Sequence, residues 1–187
     1  MKLLFDCTEL SYFNEKSGHR AGVFFVALNL FKELKKRNVD ITFHCDFKRY
    51  YIMKTISEFS DIPLLEEHSK LNKFVGWLVY KTDNLPKKIK YAVLIFARFY
   101  DKYLCKINKQ NLNDIEKFDA YFSPFTPPSV EIEHSAIKKF RMLHDIIPIL
   151  ENGYPKSPKD WYYKIYTTIS DKNNNYYLAN SESTRSD

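Results

Sequence analysis

The residues best equipped for chemistry are His144 and Asp145, in the run Arg141, Met142, Leu143, His144, Asp145, Ile146, Ile147, Pro148. An apolar stretch leads into the pair and a proline follows, so the pair is expected at the C-terminal end of a strand. Open α/β sheets bind ligands at that edge. An imidazole and a carboxylate there can contact a phosphorylated or polyhydroxylated substrate, the histidine donating to an oxygen as charge develops on it. A plainer reading makes His144 a partly buried side chain and Asp145 the cap of the following turn. The dipeptide alone leaves both open. A hydrolase triad lacks its Gly-x-Ser-x-Gly elbow. His19, His44, His68, His134 and His144 show no metal-ligand spacing, so no metal is expected.

Two further loops carry polar groups at equivalent places. Gly18, His19, Arg20, Ala21 and Gly22 precede an apolar helical pattern, where free backbone N–H groups and the helix dipole can receive a phosphate or a sugar hydroxyl. The spacing is not Gly-x-Gly-x-x-Gly, and a dinucleotide site is unsupported. A turn eased by glycines is the alternative. Near the other end, Asn180, Ser181, Glu182, Ser183 and Thr184 follow the apolar run Tyr176 to Ala179, with Ser181 expected to cap a helix.

The elements that must position these groups are legible as β-α alternation. Lys2 to Thr8 reads as a buried strand. Val23, Val26, Ala27, Leu30, Phe31 and Leu34 follow helical spacing, the helix fading at Lys35, Lys36 and Arg37, and Asp40 to Cys45 is a second strand. Such a β-α-β unit commits the sheet to parallel pairing. Residues 46 to 84 predict one or two short helices and a strand at Ile62 to Leu65. From Pro86, a proline suited to a first turn, an amphipathic helix is expected. Ile89, Val93, Phe96, Tyr100, Tyr103, Leu104 and Ile107 lie on one face, with Lys87, Lys90, Arg98, Lys102 and Lys106 opposite. Further strands are expected at Asp119 to Ser123, Lys139 to Leu143 and Tyr176 to Ala179, with a helix over Pro158 to Lys172. The predicted class is α/β, a Rossmann-like doubly wound, mainly parallel sheet forming one lobe over 1–187. Parallel strands bring the three polar loops to one rim.

The chain has 187 residues, 44% apolar and 17% aromatic, enough for a substantial core. Cys7, Cys45 and Cys105 are scattered and odd in number, which suits a reducing compartment and small buried apolar groups. Asp6 interrupts the N-terminus too early for a secretion signal, and the longest apolar run, Tyr91 to Ala97, is far short of the ~20 residues that cross a bilayer. A cytoplasmic location is expected, extending to the inner face of the cytoplasmic membrane as a peripheral protein.

The net charge of +6 is local: residues 81 to 109 hold eight Lys or Arg against Asp83 and Asp101, which accounts for the whole excess. A patch this concentrated points to an anionic partner. A core-packing helix with a solvated basic face is the bland account. A membrane-contacting face built from Lys87, Lys90, Arg98, Lys102 and Lys106 with neighbouring aromatics is the sharper one. No helix-turn-helix, RNP or zinc motif accompanies the charge, and nucleic acid is not expected.

Taken in order, three segments resemble the N-terminal lobe of GT-B glycosyltransferases of the large retaining family 4 group. They are the glycine loop with Ala21, Gly22, Val23 and the helix behind it, then His144, Asp145, Ile146, Ile147 and Pro148, then Asn180, Ser181, Glu182, Ser183, Thr184, Arg185, Ser186 and Asp187. The resemblance implies a two-lobed enzyme moving a hexose from a nucleotide sugar to a glycan or lipid-linked acceptor, with retention and without a cofactor or metal, in bacterial surface polysaccharide or glycoconjugate synthesis. It implies that this chain is the acceptor-side lobe, that the donor-binding lobe is absent from it, and that the fragment alone is inactive. It further implies that His144 and Asp145 are the catalytic candidates, and that Gly18, Arg20, Gly22, Asn180, Ser181 and Thr184 contact substrate. Phe24 and Phe25 stand where such enzymes often carry a basic residue after the glycine. The competing class is a non-catalytic α/β domain that binds a ligand or a membrane surface.

Overall fold

The computed structural model describes residues 1–13, 22–65, 69–82, 85–104, 112–143 and 174–179. Five strands, β1 (Lys2–Asp6), β2 (Asp40–His44), β3 (Ala120–Ser123), β4 (Lys138–Leu143) and β5 (Asn175–Ala179), form one sheet in the order β2-β1-β3-β4-β5. Every pairing is parallel. The protein is therefore an α/β protein with an all-parallel sheet flanked by helices, in keeping with the Rossmann-like class read from the sequence. Six α-helices accompany the strands among the described residues: α1 (Gly22–Lys36), α2 (Phe47–Lys54), α3 (Lys70–Lys81), α4 (Lys87–Tyr103), α5 (Leu112–Ile115) and α6 (Val130–His134).

β1 is an interior strand whose Leu3, Leu4 and Phe5 are buried on both faces of the sheet, as in a parallel strand covered on two sides. Leu3 and Phe5 look toward α1, where Phe24, Ala27, Leu28 and Phe31 are buried. Phe5 stacks on Phe122 at 5.5 Å between ring centroids, and Phe31, Phe43 and Phe59 meet edge-on or tilted at 5.1 to 5.6 Å. Such pairs contribute roughly 0.5–1.5 kcal/mol each beyond their buried area. The buried stripe of α1 is turned from the predicted one: Phe24 and Leu28 are buried, whereas Val23, Val26, Leu30 and Leu34 are half-buried. α1 ends in a Schellman turn, Val39 N–H donating to the Leu34 carbonyl and Asn38 N–H to that of Lys35. Asn38 supplies the left-handed residue at φ 56°, a conformation asparagine tolerates better than most side chains.

The opposite face is split. At its lower end Leu4 and Tyr121 pack with Ile115, Phe118, Ile132 and Ile137 from α5, α6 and their flanks. Toward the C-terminal edge the same face turns polar, burying Asp6, His44, Ser123 and Arg141. The expected strand at Ile62 to Leu65 is reduced to one bridge, Phe43 to Leu64, in which Phe43 N–H donates to the Pro63 carbonyl and Leu65 N–H donates back to Phe43. Pro63 has no N–H with which to extend a ladder.

The long β2-to-β3 crossover is built from α2, α3 and α4. Asp46 caps α2, accepting from the N–H groups of Lys48 and Arg49 at 2.8 and 3.0 Å, and Ser69 caps α3. α2 and α3 pack closely at Gly76: a Cβ built there would lie 2.1 Å from the Phe47 carbonyl oxygen. α4 begins after Pro86, which is the N-cap rather than the first helical residue. Ala97 and Tyr100 are the residues α4 buries. The predicted apolar face is thus divided, since Ile89, Phe96 and Tyr103 remain exposed.

Candidate functional site

In the order β2-β1-β3-β4-β5 the chain runs outward from β1 to β2 and then returns to the other side of β1. The connections leaving β1 and β3 therefore diverge, and the cleft between them is where open α/β sheets take ligands. Asp6 ends β1 and Ser123 ends β3, one on each side of this opening.

Asp6 is buried and binds across the divide. One carboxylate oxygen accepts from Thr8 N–H at 2.9 Å. The other accepts from the Tyr121 hydroxyl at 2.9 Å and the Thr126 hydroxyl at 2.6 Å. A buried carboxylate requires such donors, and bonds to a charged acceptor are the stronger kind. Burial pushes the Tyr121 phenol well above its ordinary range, and the Asp6 charge adds to the effect while Arg141 opposes it. Tyr121 therefore stays protonated and donates. Ser123 shapes the next turn, donating to the Thr126 carbonyl and accepting from Phe125 N–H at 3.3 Å.

The rim beside β1 holds a second charged group. The 3-10 turn Glu9–Tyr12 follows directly from the strand. Burial raises the Glu9 carboxyl above its usual range, the nearby Asp6 charge raises it further, and Arg49 works the other way. Arg49 lies over the Tyr12 ring at 4.3 Å and donates to its hydroxyl, tying α2 to this turn. On the same polar side of the sheet β4 buries two cations that an apolar-strand reading did not anticipate. Lys139 donates to the Ser135 carbonyl at 2.7 Å, and Arg141 lies 5.7 Å from the Tyr177 ring centroid. Loss of water holds the Lys139 ammonium below its ordinary range, partly offset by Glu133. Asp6, Tyr121 and Ser123 are buried and hydrogen-bonded within the protein, so together they fix the shape of this edge.

Of the residues expected to act, Gly22 is described: it begins α1, is exposed, and a Cβ added to it would meet nothing within 4 Å. His144, Asp145, Gly18, Arg20, Asn180, Ser181, Thr184 and Lys106 lie outside the described residues, as does the expected helix over Pro158 to Lys172. The strands before them are described: β4 ends at Leu143 and β5 at Ala179, paired with each other at those residues. Lys87 and Arg98 are exposed on α4, Lys90 is half-buried, and Lys102 belongs to the same helix. Cys7 and Cys45 are buried as expected, and Cys105 lies outside the described residues.

Sequence reasoning missed Asp6, Glu9, Tyr121 and Thr126. A carboxylate closing an otherwise apolar first strand, with a Ser/Thr/Pro-rich turn after a later strand, was the available signal for Asp6 and Thr126. Comparison with protein-family models, with curated proteins and with solved structures finds no match.

Proposed function

We propose that this chain is the acceptor-side lobe of a retaining two-lobed glycosyltransferase that transfers a hexose from a nucleotide sugar to a glycan or lipid-linked acceptor. One observation carries the reading: the strands leading into the glycine loop, the His144-Asp145 segment and the Asn180 segment are β1, β4 and β5 of a single all-parallel sheet. Parallel strands direct the chain after each of them toward one edge, the arrangement a shared cleft requires. The Asp6 network between β1 and β3 holds the rim of that edge in shape.

In this reading His144 hydrogen-bonds the transferred sugar, Asp145 orients it, and the open space over Gly22 lets a donor phosphate approach the backbone. Donor binding is completed by a second lobe outside this chain, and the protein works in the cytoplasm or at the inner membrane face. The test is a donor and acceptor screen on the protein encoded by the complete reading frame, with released nucleoside diphosphate measured. Transfer by wild type and a loss of about a hundredfold or more in His144→Ala is the expected result, as for a positioned acid–base or hydrogen-bonding group. Transfer by His144→Ala at the wild-type rate overturns the site. Glycan binding without turnover in that protein instead supports a non-catalytic domain.

A further inference from the structure

We infer that α4, together with α3, forms a docking face for an anionic lipid surface. The two helices are consecutive, and they are joined in the core by a hydrogen bond from the Tyr100 hydroxyl to Asn72. Ala97 and Tyr100 are buried on α4, and Ile89, Tyr91, Ile95, Phe96, Phe99 and Tyr103 are exposed around the rest of the helix. These six side chains are between 44% and 67% exposed. α3 does likewise: Leu71, Phe74 and Trp77 are exposed, with the Phe74 and Trp77 rings stacked at 6.2 Å. Apolar groups this dense on a surface mark an interaction site rather than ordinary scatter.

Charge selects the occupant. Lys70–Lys81 and Lys87–Tyr103 together contain eight Lys or Arg and one acidic residue, Asp101, whose carboxylate is bound to Lys48 at 2.5 Å. Lys70, Lys81, Lys87, Lys88 and Arg98 are exposed on the same two helices as these aromatic and aliphatic side chains. A second copy of the chain would bring like charges together, which opposes self-association. Nucleic acid would use the cations and aromatic rings but gain nothing from Ile89 and Ile95, whereas the headgroup and acyl boundary of a bilayer takes all three kinds of side chain. Among the described residues no helix is long and apolar enough to cross a membrane, so the face lies along the surface rather than through it.

The inference does not depend on sugar transfer, and its test contains no sugar. The purified chain is floated with phosphatidylcholine vesicles, and with vesicles in which part of that lipid is replaced by phosphatidylglycerol. Co-flotation with the anionic vesicles is expected, weak with the neutral ones and falling as salt shortens the Debye length to roughly 3 Å at 1 M. The double variant Lys87→Glu/Lys88→Glu is expected to lower the partition coefficient by more than about tenfold. Ile95→Ser/Phe99→Ser is expected to lower it comparably without changing net charge. Both pairs are exposed, so an unchanged circular dichroism spectrum and melting temperature separate lost docking from lost folding. Equal flotation with neutral and anionic vesicles, or flotation insensitive to both double variants, overturns the inference. So does displacement from anionic vesicles by an equimolar single-stranded oligonucleotide, which makes the face a nucleic-acid surface, or a dimer in sedimentation that Ile95→Ser/Phe99→Ser dissolves.

Discussion

Asp6 engages both of its carboxylate oxygens in holding two loops together across the opening between β1 and β3. Its work is to fix the shape of the rim rather than to reach out as a free base. Asp6→Ala would leave the buried Tyr121 hydroxyl without this acceptor, and the expected cost is about 2–3 kcal/mol of stability, read as a lower urea midpoint. A change within about 0.5 kcal/mol would instead mark Asp6 as an uncommitted surface carboxylate. Glu9 gives a prediction in pH. Its folded pKa is raised by burial first and by Asp6 second, so folding favours the protonated form. The stability this contributes is complete below the unfolded value of about 4.3 and is lost as pH rises through the folded one. Urea midpoints of wild type should therefore fall relative to Glu9→Gln as pH rises above about 4.3; parallel curves would contradict the assignment.

At the scale of elements, Gly76 sets how closely α2 and α3 approach. A methyl group there meets backbone, the Phe47 carbonyl, which cannot swing away as a side chain would. Gly76→Ala is expected to lower stability by about 2–3 kcal/mol, outweighing the roughly 1 kcal/mol by which alanine favours a helix interior. Thermal unfolding measures it, and a melting temperature at or above wild type would show that the helices part easily. α1 and α4 share a lesson about helical wheels. Periodicity located both helices, with α1 running Gly22–Lys36 and α4 running Lys87–Tyr103. It did not locate the buried arc. Where a helix is apolar over more than half its circumference, the neighbour it packs against decides which part is covered, and for α4 that neighbour is built from α2 and α3, whose packing the helical wheel of α4 does not contain.

Across the whole molecule, the sheet was legible because the strands carry short apolar stretches bounded by polar or turn-forming residues, β4 with charges interleaved, and β-α alternation leaves parallel pairing as the economical topology. The candidate site was less so. Asp6 is more than a hundred residues from Tyr121 and Thr126 and meets them only when β3 lies against β1, a juxtaposition no local spacing encodes. Lys139 and Arg141 hid for a related reason: inside a strand two charges suggest exposure, whereas Arg141 is buried level with Ser123 in the polar half of the face and Lys139 is buried by donating to the Ser135 carbonyl below it. The His144-Asp145 segment could be singled out from the sequence because its chemistry lies next to its strand in sequence, and of that strand the structure describes β4 up to Leu143.

The single bridge between Phe43 and Leu64 has a colloidal consequence. β2 is the outermost strand on its side, and a bare outermost strand is a template on which another chain can add its own. Here Phe43, the fourth of the five residues of β2, already has its donor and acceptor taken by Pro63 and Leu65, and the incoming segment is broken by a proline. A few residues too short to count as a strand thus shield that side of the protein from edge-to-edge aggregation while it is concentrated.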